Sequence, residues 1–208
     1  MQADLFGAPA SAVPVVMQDI ISAVEERRLL AALQAVELQP FRFQQWEGRR
    51  LTRTYGWKYD FGAGTFEPAA AIPGFLLPLR ERAAAFAGLD APLFVQALVT
   101  LYEPGAGIGW HRDRPEFEDV VGISLGAPAT MRFRRRLANG KFQRLGLAMA
   151  PRSAYHLAGE FRHEWEHSIA PMTARRWSVT FRRLSARGLA RERDVTSSRT
   201  SPGGRSGA

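Results

Sequence analysis

The chain contains no cysteine. That absence excludes disulfides, thiolate metal sites and cysteine nucleophiles, and it fits a reducing compartment. No stretch approaches the roughly 18 consecutive apolar residues of a membrane helix. The opening Met1-Gln2-Ala3-Asp4-Leu5-Phe6 lacks a basic segment ahead of an apolar one, so no secretory leader is read there. A cytoplasmic location without membrane attachment is the expectation. No internal repeat is visible. Acidic residues are the minority: 20 Asp and Glu stand against 28 Lys and Arg, for a net charge of +8 and a pI of about 10.9. A polyanion suits such a chain, but an Arg-rich solvated surface gives the same balance. Part of the excess lies in the Ser/Gly/Arg-rich stretch 187–208, which reads as a disordered basic tail.

What is present fits one domain, since 208 residues at 46% hydrophobic content can bury a sizeable core. After a flexible lead (1–10), the apolar run Ala12 to Met17 reads as an edge strand. Ser22-Ala23-Val24-Glu25 is a capping box, in which Ser accepts from a backbone donor and Glu reaches back. It opens a helix to about Val36 that packs through Val24, Leu29, Leu33 and Val36. Phe41 to Trp46 and Arg49 to Phe61 read as two strands around a Glu47-Gly48 turn. The second interleaves Arg49, Arg50, Arg53 and Lys58 with Tyr55, Trp57 and Tyr59, a pattern that suits phosphates and a stacked base but also arises in any half-buried strand. A second helix spans Phe75 to Ala87, with Leu77, Leu79, Ala83 and Phe86 apolar and Gly88 as its stop.

Short strand-like runs follow: Phe94 to Tyr102, Val120 to Leu125, Thr130 to Arg134, Phe142 to Met149 after an Asn139-Gly140 turn, Ser153 to Leu157, and Trp177 to Arg183. Strands at this spacing after two helices predict an α+β domain whose second half is an antiparallel, jelly-roll-like double sheet.

Within that half lies His111-Arg112-Asp113, delivered by the loop Glu103-Pro104-Gly105-Ala106-Gly107. If Trp110 to Arg114 is extended, His111 and Asp113 leave the same face and can grip one ion. His167 would complete a two-His, one-carboxylate set, which covers one face of an octahedral ion and leaves three positions open, as in non-haem Fe(II) oxygenases. Arg176 and Arg182, six apart in an extended run, share a face and suit carboxylates. A competing reading is His163-Glu164-Trp165-Glu166-His167, which matches the helical zinc metalloprotease motif with Glu164 as general base. The Gly159 and Pro171 that bracket it leave little room for the helix that motif needs. His156 and His163 are read as bystanders.

From Gln96 to Leu184 the chain resembles the AlkB family of Fe(II)- and 2-oxoglutarate-dependent dioxygenases. The resemblance rests on Leu101-Tyr102-Glu103-Pro104-Gly105-Ala106, on His111 and Asp113, on Gly159 to His167, and on Arg176, Thr180, Phe181 and Arg182. It implies a double-stranded β-helix (jelly-roll) core over 91–186, behind N-terminal helices and a substrate-lid β-hairpin over 11–90. It implies Fe(II), 2-oxoglutarate and dioxygen as cofactors and cosubstrates. His111, Asp113 and His167 would be the catalytic metal ligands. Arg176 would meet the distal carboxylate of 2-oxoglutarate, Arg182 would help hold its other end, and Tyr102 would also contact it. Thr100 and Ser178 stand where many AlkB-like proteins have Asn, which shortens two hydrogen-bonding side chains. Pro115 stands where some DNA-repairing members have an acidic residue, with Glu116 a substitute.

Substrate contacts would come from Arg50, Trp57, Tyr59 and Trp110, with Trp57 or Tyr59 stacking on the base. The implied activity is oxidative demethylation of N-alkylated bases in DNA by a monomer. The same chemistry on RNA or protein is the alternative, and a nucleic-acid-binding module without catalysis is a further one.

Overall fold

Alternation decides the architecture. In Arg176-Trp177-Ser178-Val179-Thr180-Phe181-Arg182 polar and apolar residues alternate, and an extended strand sends them to opposite faces. The computed structural model describes residues 14–43, 46–60 and 62–200. It places this run in β12 (Arg176–Leu184) near the middle of an eight-stranded sheet. To one side lie β7 (Phe117–Gly126), β10 (Ala154–Leu157) and the edge strand β1 (Val15–Met17). To the other lie β5 (Phe94–Tyr102), β3 (Trp46–Asp60) and β2 (Gln39–Phe43), and β4 (Thr65–Pro68) pairs with the far end of β3. A second sheet runs β6 (Ile108–His111), β11 (Glu166–Ile169), β8 (Ala129–Arg136), β9 (Phe142–Met149). All these pairings are antiparallel. The domain is therefore the expected α+β double-stranded β-helix.

The register fixes what each face does. Trp177, Val179 and Phe181 lie opposite Leu101, Val99 and Ala97 on one side, and opposite Leu125, Ile123 and Val121 on the other. These side chains are buried together with Leu33 of α1 (Ala23–Gln34) and with Leu79 and Ala83 of α2 (Leu77–Ala87). The alternate residues, Arg176, Ser178, Thr180 and Arg182, look the other way, into a cavity between the sheets. A second cluster, including Tyr102, Met131, Phe133, Met149 and Trp165, fills the rest of the space between them.

Two helix starts follow local rules. The capping box of α1 is formed in full, with Ser22 Oγ accepting from Glu25 N at 3.2 Å and Glu25 Oε2 accepting from Ser22 N at 2.8 Å. A 3-10 turn, Gly74–Leu76, leads into α2, which stops at Gly88 in the left-handed conformation. The packing faces depart from expectation at two positions. Val24 is 47% exposed, and Leu77 is also exposed. Glu26 is buried instead, because its carboxylate accepts from Gly126 N at 2.9 Å and from Arg152 Nη1 at 3.1 Å, tying α1 to the end of β7 and to the turn between β9 and β10. The Glu47-Gly48 turn is also corrected, since both residues lie within β3, whose register against β2 closes the hairpin at Phe43 and Trp46.

The basic tail is corrected as well. Residues 186–200 form a helix, α4 (Ala186–Thr200), rather than a disordered segment. Its anchor is Glu116, fully buried and contacted by Arg114 (3.3 Å), Arg187 (3.5 Å) and Arg191 (3.2 Å). Ser185 Oγ accepts from Gly188 N at 3.2 Å, capping the first turn. The lead 1–10 and residues 201–208 lie outside the described residues. No helix among the described residues is long and apolar enough to cross a membrane.

β3 changes partners at Gly56: before it the strand pairs with β5, after it with β4. Gly56 has φ +78°, and a Cβ there would meet the Val95 carbonyl oxygen at 1.8 Å. Gly56→Ala is expected to lower stability by about 1–3 kcal/mol, from backbone strain and overpacking together. The urea midpoint measures it, and an unchanged midpoint would show that the kink is not imposed by this residue.

Candidate active site

The antiparallel register of β6 and β11 sets His111 directly opposite His167, with ring centroids 4.3 Å apart. Asp113 lies two residues beyond the last β6 pairing, just outside the strand, and its Oδ2 comes within 3.6 Å of His167 Nε2. The three groups predicted to share an ion therefore meet at one end of a cavity of about 520 Å³. The donor atoms do not form a closed cage as they stand, and no preformed cluster of three His, Asp or Glu donors occurs among the described residues. Asp113 Oδ1 is taken up by Arg182, which donates from Nε at 2.9 Å and Nη2 at 2.8 Å. His111 Nδ1 faces the Gly109 carbonyl at 2.9 Å. If that nitrogen carries the proton, the bond fixes the tautomer and leaves Nε2 as a lone-pair donor.

Burial dominates the electrostatics here. It pushes the His167 imidazole down to about 3, with His111 adding to the shift. It also lowers His111, partly opposed by Asp113. For Asp113, burial alone would favour the neutral acid, but Arg182, His167, His111 and Arg162 outweigh it and hold the carboxyl well below the usual carboxylate range. The outcome is two neutral imidazoles and one ionised carboxylate, the protonation state that metal binding needs.

The sheet face opposite supplies the cations. Arg176 is 1% exposed; its Nε donates to Ser124 Oγ at 3.1 Å, while Nη1 is buried without a hydrogen-bond partner among the described residues. Its guanidinium lies 5.2 Å from the centre of the Tyr102 ring. Thr100 and Ser178 sit opposite each other on β5 and β12 and line the same cavity. Arg50 is buried beside them, with its guanidinium 3.7 Å from the centre of the Phe41 ring. Trp110 lines the cavity too, with Arg132 and Arg134 against its ring. In total the lining holds five arginines and one carboxylate, so the space is built for an anion.

Arg182, expected on the second end of 2-oxoglutarate, lines the cavity, where it holds Asp113 and donates from Nη1 to Gln96 Oε1 at 2.9 Å. Other expectations are corrected. Trp57 and Tyr59 do not line the cavity. The Trp57 ring stacks on Phe66 at 5.1 Å, and Tyr59 carries the Arg114 guanidinium 3.6 Å from its ring centre. Beyond Gly56 the strand pairs with β4 instead of β5, so its side chains meet Phe66 and Phe117. Glu116 cannot stand in as an acidic substrate contact, because it is the buried anchor of α4.

The zinc motif is not assembled either. Helix α3 (Gly159–His163) is five residues long and ends at His163, while His167 belongs to β11. His163 turns outward to Glu118 at 2.8 Å, and Glu164 pairs with Arg135. His156, a bystander as expected, contacts Asp119 at 2.9 Å.

Four residues escaped the sequence reading. Gln96 bridges Arg182 to the Trp57 carbonyl oxygen. Ser124 orients Arg176, and buried Arg162 donates to the carbonyls of Arg114 and Phe117, bracing the loop after Asp113. Tyr155 lines the cavity, and burial pushes its phenol up to about 12. Only the strand-face parity of Gln96 and Ser124 could have signalled their direction.

Comparison with known proteins names the arrangement. A model of the 2OG-Fe(II) oxygenase superfamily matches residues 15–193. The Arabidopsis thaliana "Alkylated DNA repair protein ALKBH8 homolog" is 29% identical over 178 residues, covering 74% of this chain and 49% of that protein. The chain thus spans about half the length of this curated relative. The solved structure of OsALKBH1 superposes with a TM-score of 0.61 at 14% identity, covering 82% of this chain and 96% of the other. A Pseudomonas putida prolyl-4-hydroxylase does so with a TM-score of 0.52 at 18% identity, covering 83% and 93%. At those identities the two structures speak for the fold alone. The family implies Fe(II) and 2-oxoglutarate. The residues fit both, since the donor set matches the ion and the unpartnered Arg176 N–H matches a carboxylate. By a family match across nearly the whole described chain, this protein is a member of the 2OG-Fe(II) oxygenase superfamily.

Proposed function

We propose that this protein catalyses Fe(II)- and 2-oxoglutarate-dependent oxidative demethylation of N-alkylated bases in DNA. One observation carries the oxygenase part: a buried arginine with an unpartnered N–H shares a cationic cavity with two neutral histidines and an ionised aspartate. The name of the Arabidopsis relative, a DNA repair protein homolog, supports DNA as the substrate, as does the basic character of the chain.

When bound, Fe(II) with 2-oxoglutarate and dioxygen supplies hydroxylation of an N-methyl C–H bond; 2-oxoglutarate leaves as succinate and carbon dioxide, and the N-hydroxymethyl product sheds formaldehyde. In this proposal His111, Asp113 and His167 hold the ion. Arg182 keeps Asp113 ionised and oriented through its two N–H donors. Arg176 receives the distal carboxylate of 2-oxoglutarate, with Tyr102, Thr100 and Ser178 along its path. Thr and Ser hydroxyls reach less far than an amide, so their contacts to the cosubstrate would be weaker or bridged by water. Arg50 contributes a further buried positive charge. A base inside a duplex cannot reach a site this enclosed, so the target is flipped out or single-stranded. Trp110, half-buried at the cavity, is the aromatic surface in reach of such a base, in place of Trp57 and Tyr59.

Four outcomes are expected. Protein loaded anaerobically with Fe(II) and 2-oxoglutarate should, once oxygen is admitted, release succinate and formaldehyde with an N-methyladenine or N-methylcytosine DNA strand. Asp113→Ala should release neither; formaldehyde from methylated RNA alone would move the substrate from DNA to RNA, and no succinate from any substrate would overturn the oxygenase. Arg176→Met should raise the KM for 2-oxoglutarate about 10- to 100-fold, the loss of one or two charge-assisted hydrogen bonds. An unchanged KM would remove Arg176 from that role. His163→Ala, at an exposed side chain, should keep turnover within about twofold; its loss would revive the metalloprotease reading.

A further inference from the structure

Trp110 does not end at the cavity. Its ring is contacted on the outer face of the smaller sheet by the Arg132 guanidinium at 5.3 Å and by Arg134 at 4.6 Å. Arg134 also lies 4.8 Å from the centre of the Phe142 ring, whose other neighbour is Arg144 at 5.3 Å. The register explains the sequence of contacts. In β8 the even positions Arg132, Arg134 and Arg136 face outward, opposite Gly146, Arg144 and Phe142 of β9, while Met131 and Phe133 are buried inward. Trp110 precedes His111 on β6 and belongs both to the cavity lining and to the arginine contacts of β8, so the ring joins the two surfaces. The outcome is an alternating ladder of aromatic rings and guanidiniums that starts at the cavity and crosses the sheet.

The charges on this face are largely uncompensated. Arg134 pairs with Glu166 at 2.7 Å. Arg132 donates only to Ser168 Oγ, and neither it nor Arg144 meets a carboxylate among the described residues. Beside Arg132 the floor is low, since Gly146 and Ala148 are exposed and small. An exposed guanidinium resting on a ring, with no carboxylate and open floor beside it, is disposed to meet phosphate, and ring faces stack on bases regardless of sequence.

We propose that this ladder is a docking track for a nucleic-acid strand, carrying the nucleotides that flank the target base from Trp110 outward over Arg132, Arg134, Phe142 and Arg144. The track rests on the reading of the cavity as a nucleobase-oxidising site and adds where the rest of the strand lies. It runs over the smaller sheet and away from the β2–β3 hairpin. Guanidiniums neutralise phosphates, Phe142 supplies a base platform, and the small floor admits the backbone.

The test is fluorescence anisotropy with short labelled single strands of DNA and of RNA, titrated between about 50 and about 200 mM salt. The double variant Arg132→Glu with Arg144→Glu should weaken binding at least about tenfold and reduce the salt slope by about 1.4, the loss of two phosphate contacts on a single strand. Phe142→Leu, which changes no charge, should weaken binding about fivefold or more through lost stacking and leave the slope intact. The comparator Arg27→Glu with Arg28→Glu, the same charge change on the exposed side of α1, should alter affinity less than about twofold. Succinate release without nucleic acid should be equal in all of them, which also reports that each is folded.

If the wild type binds neither DNA nor RNA, the nucleobase reading and the track both fall. Binding by the wild type that the ladder variants match overturns the track alone. An equal loss from the α1 comparator, or equal competition by dextran sulfate with Phe142→Leu neutral, reduces the surface to bulk charge and overturns it too. Should the double charge reversal fail to fold, Phe142→Leu and Arg144→Gln carry the same decision.

Discussion

An ionised carboxylate deep in a cavity is expensive unless a cation is held against it, and the pairing of Asp113 with Arg182 meets that requirement. The pair spans the two sheets. Asp113 follows the edge strand of the smaller one, while Arg182 belongs to the central strand of the larger. Joining them therefore fixes the distance between the layers where the candidate ion donors converge. The guanidinium is anchored in turn by Gln96, whose amide reaches the backbone of β3 just past its kink. The hairpin over the cavity and the carboxylate within it thus share one line of hydrogen bonds.

Around that pair the cavity is deliberately unbalanced in charge. Burial keeps both histidines neutral, so they add no positive charge, and Asp113 alone among the lining side chains faces Arg50, Arg176 and Arg182 as an anion. The two carboxylates of a dicarboxylate cosubstrate would meet that positive excess directly, while a divalent ion beside Asp113 would add to it. The unsatisfied N–H of Arg176 gives that argument an atom, since a buried donor without a partner is rare unless a ligand completes it.

Much of this was legible in the sequence. The capping box at Ser22, the left-handed stop at Gly88 and the alternation in β12 are governed by neighbours in the chain, and each took its expected form. The ordering of His111, Asp113, His167, Arg176 and Arg182 also sufficed to gather them in one place. What escaped depends on partners remote in sequence. Val24 yields its buried place to Glu26 because Gly126 and Arg152 offer that carboxylate hydrogen bonds. The Arg-rich segment after Ser185 is tied down as a helix because Arg187 and Arg191 reach the buried carboxylate of Glu116, which Arg114 also contacts. Trp57 and Tyr59 belong to the stretch after the kink, and local alternation cannot report a change of strand partner.

The two-faced character of β12 has a consequence for how this chain can diverge. Its odd positions bury apolar mass against the helices, and its even positions point at the chemistry. Thermal robustness and catalytic preference are thereby written on interleaved residues of a single segment. A lineage can exchange Ser178 or Thr180 to suit a different cosubstrate or product while Trp177, Val179 and Phe181 keep the scaffold intact. An insertion of one residue in this strand would swap the two sets at a stroke, so its spacing should tolerate less drift than its composition.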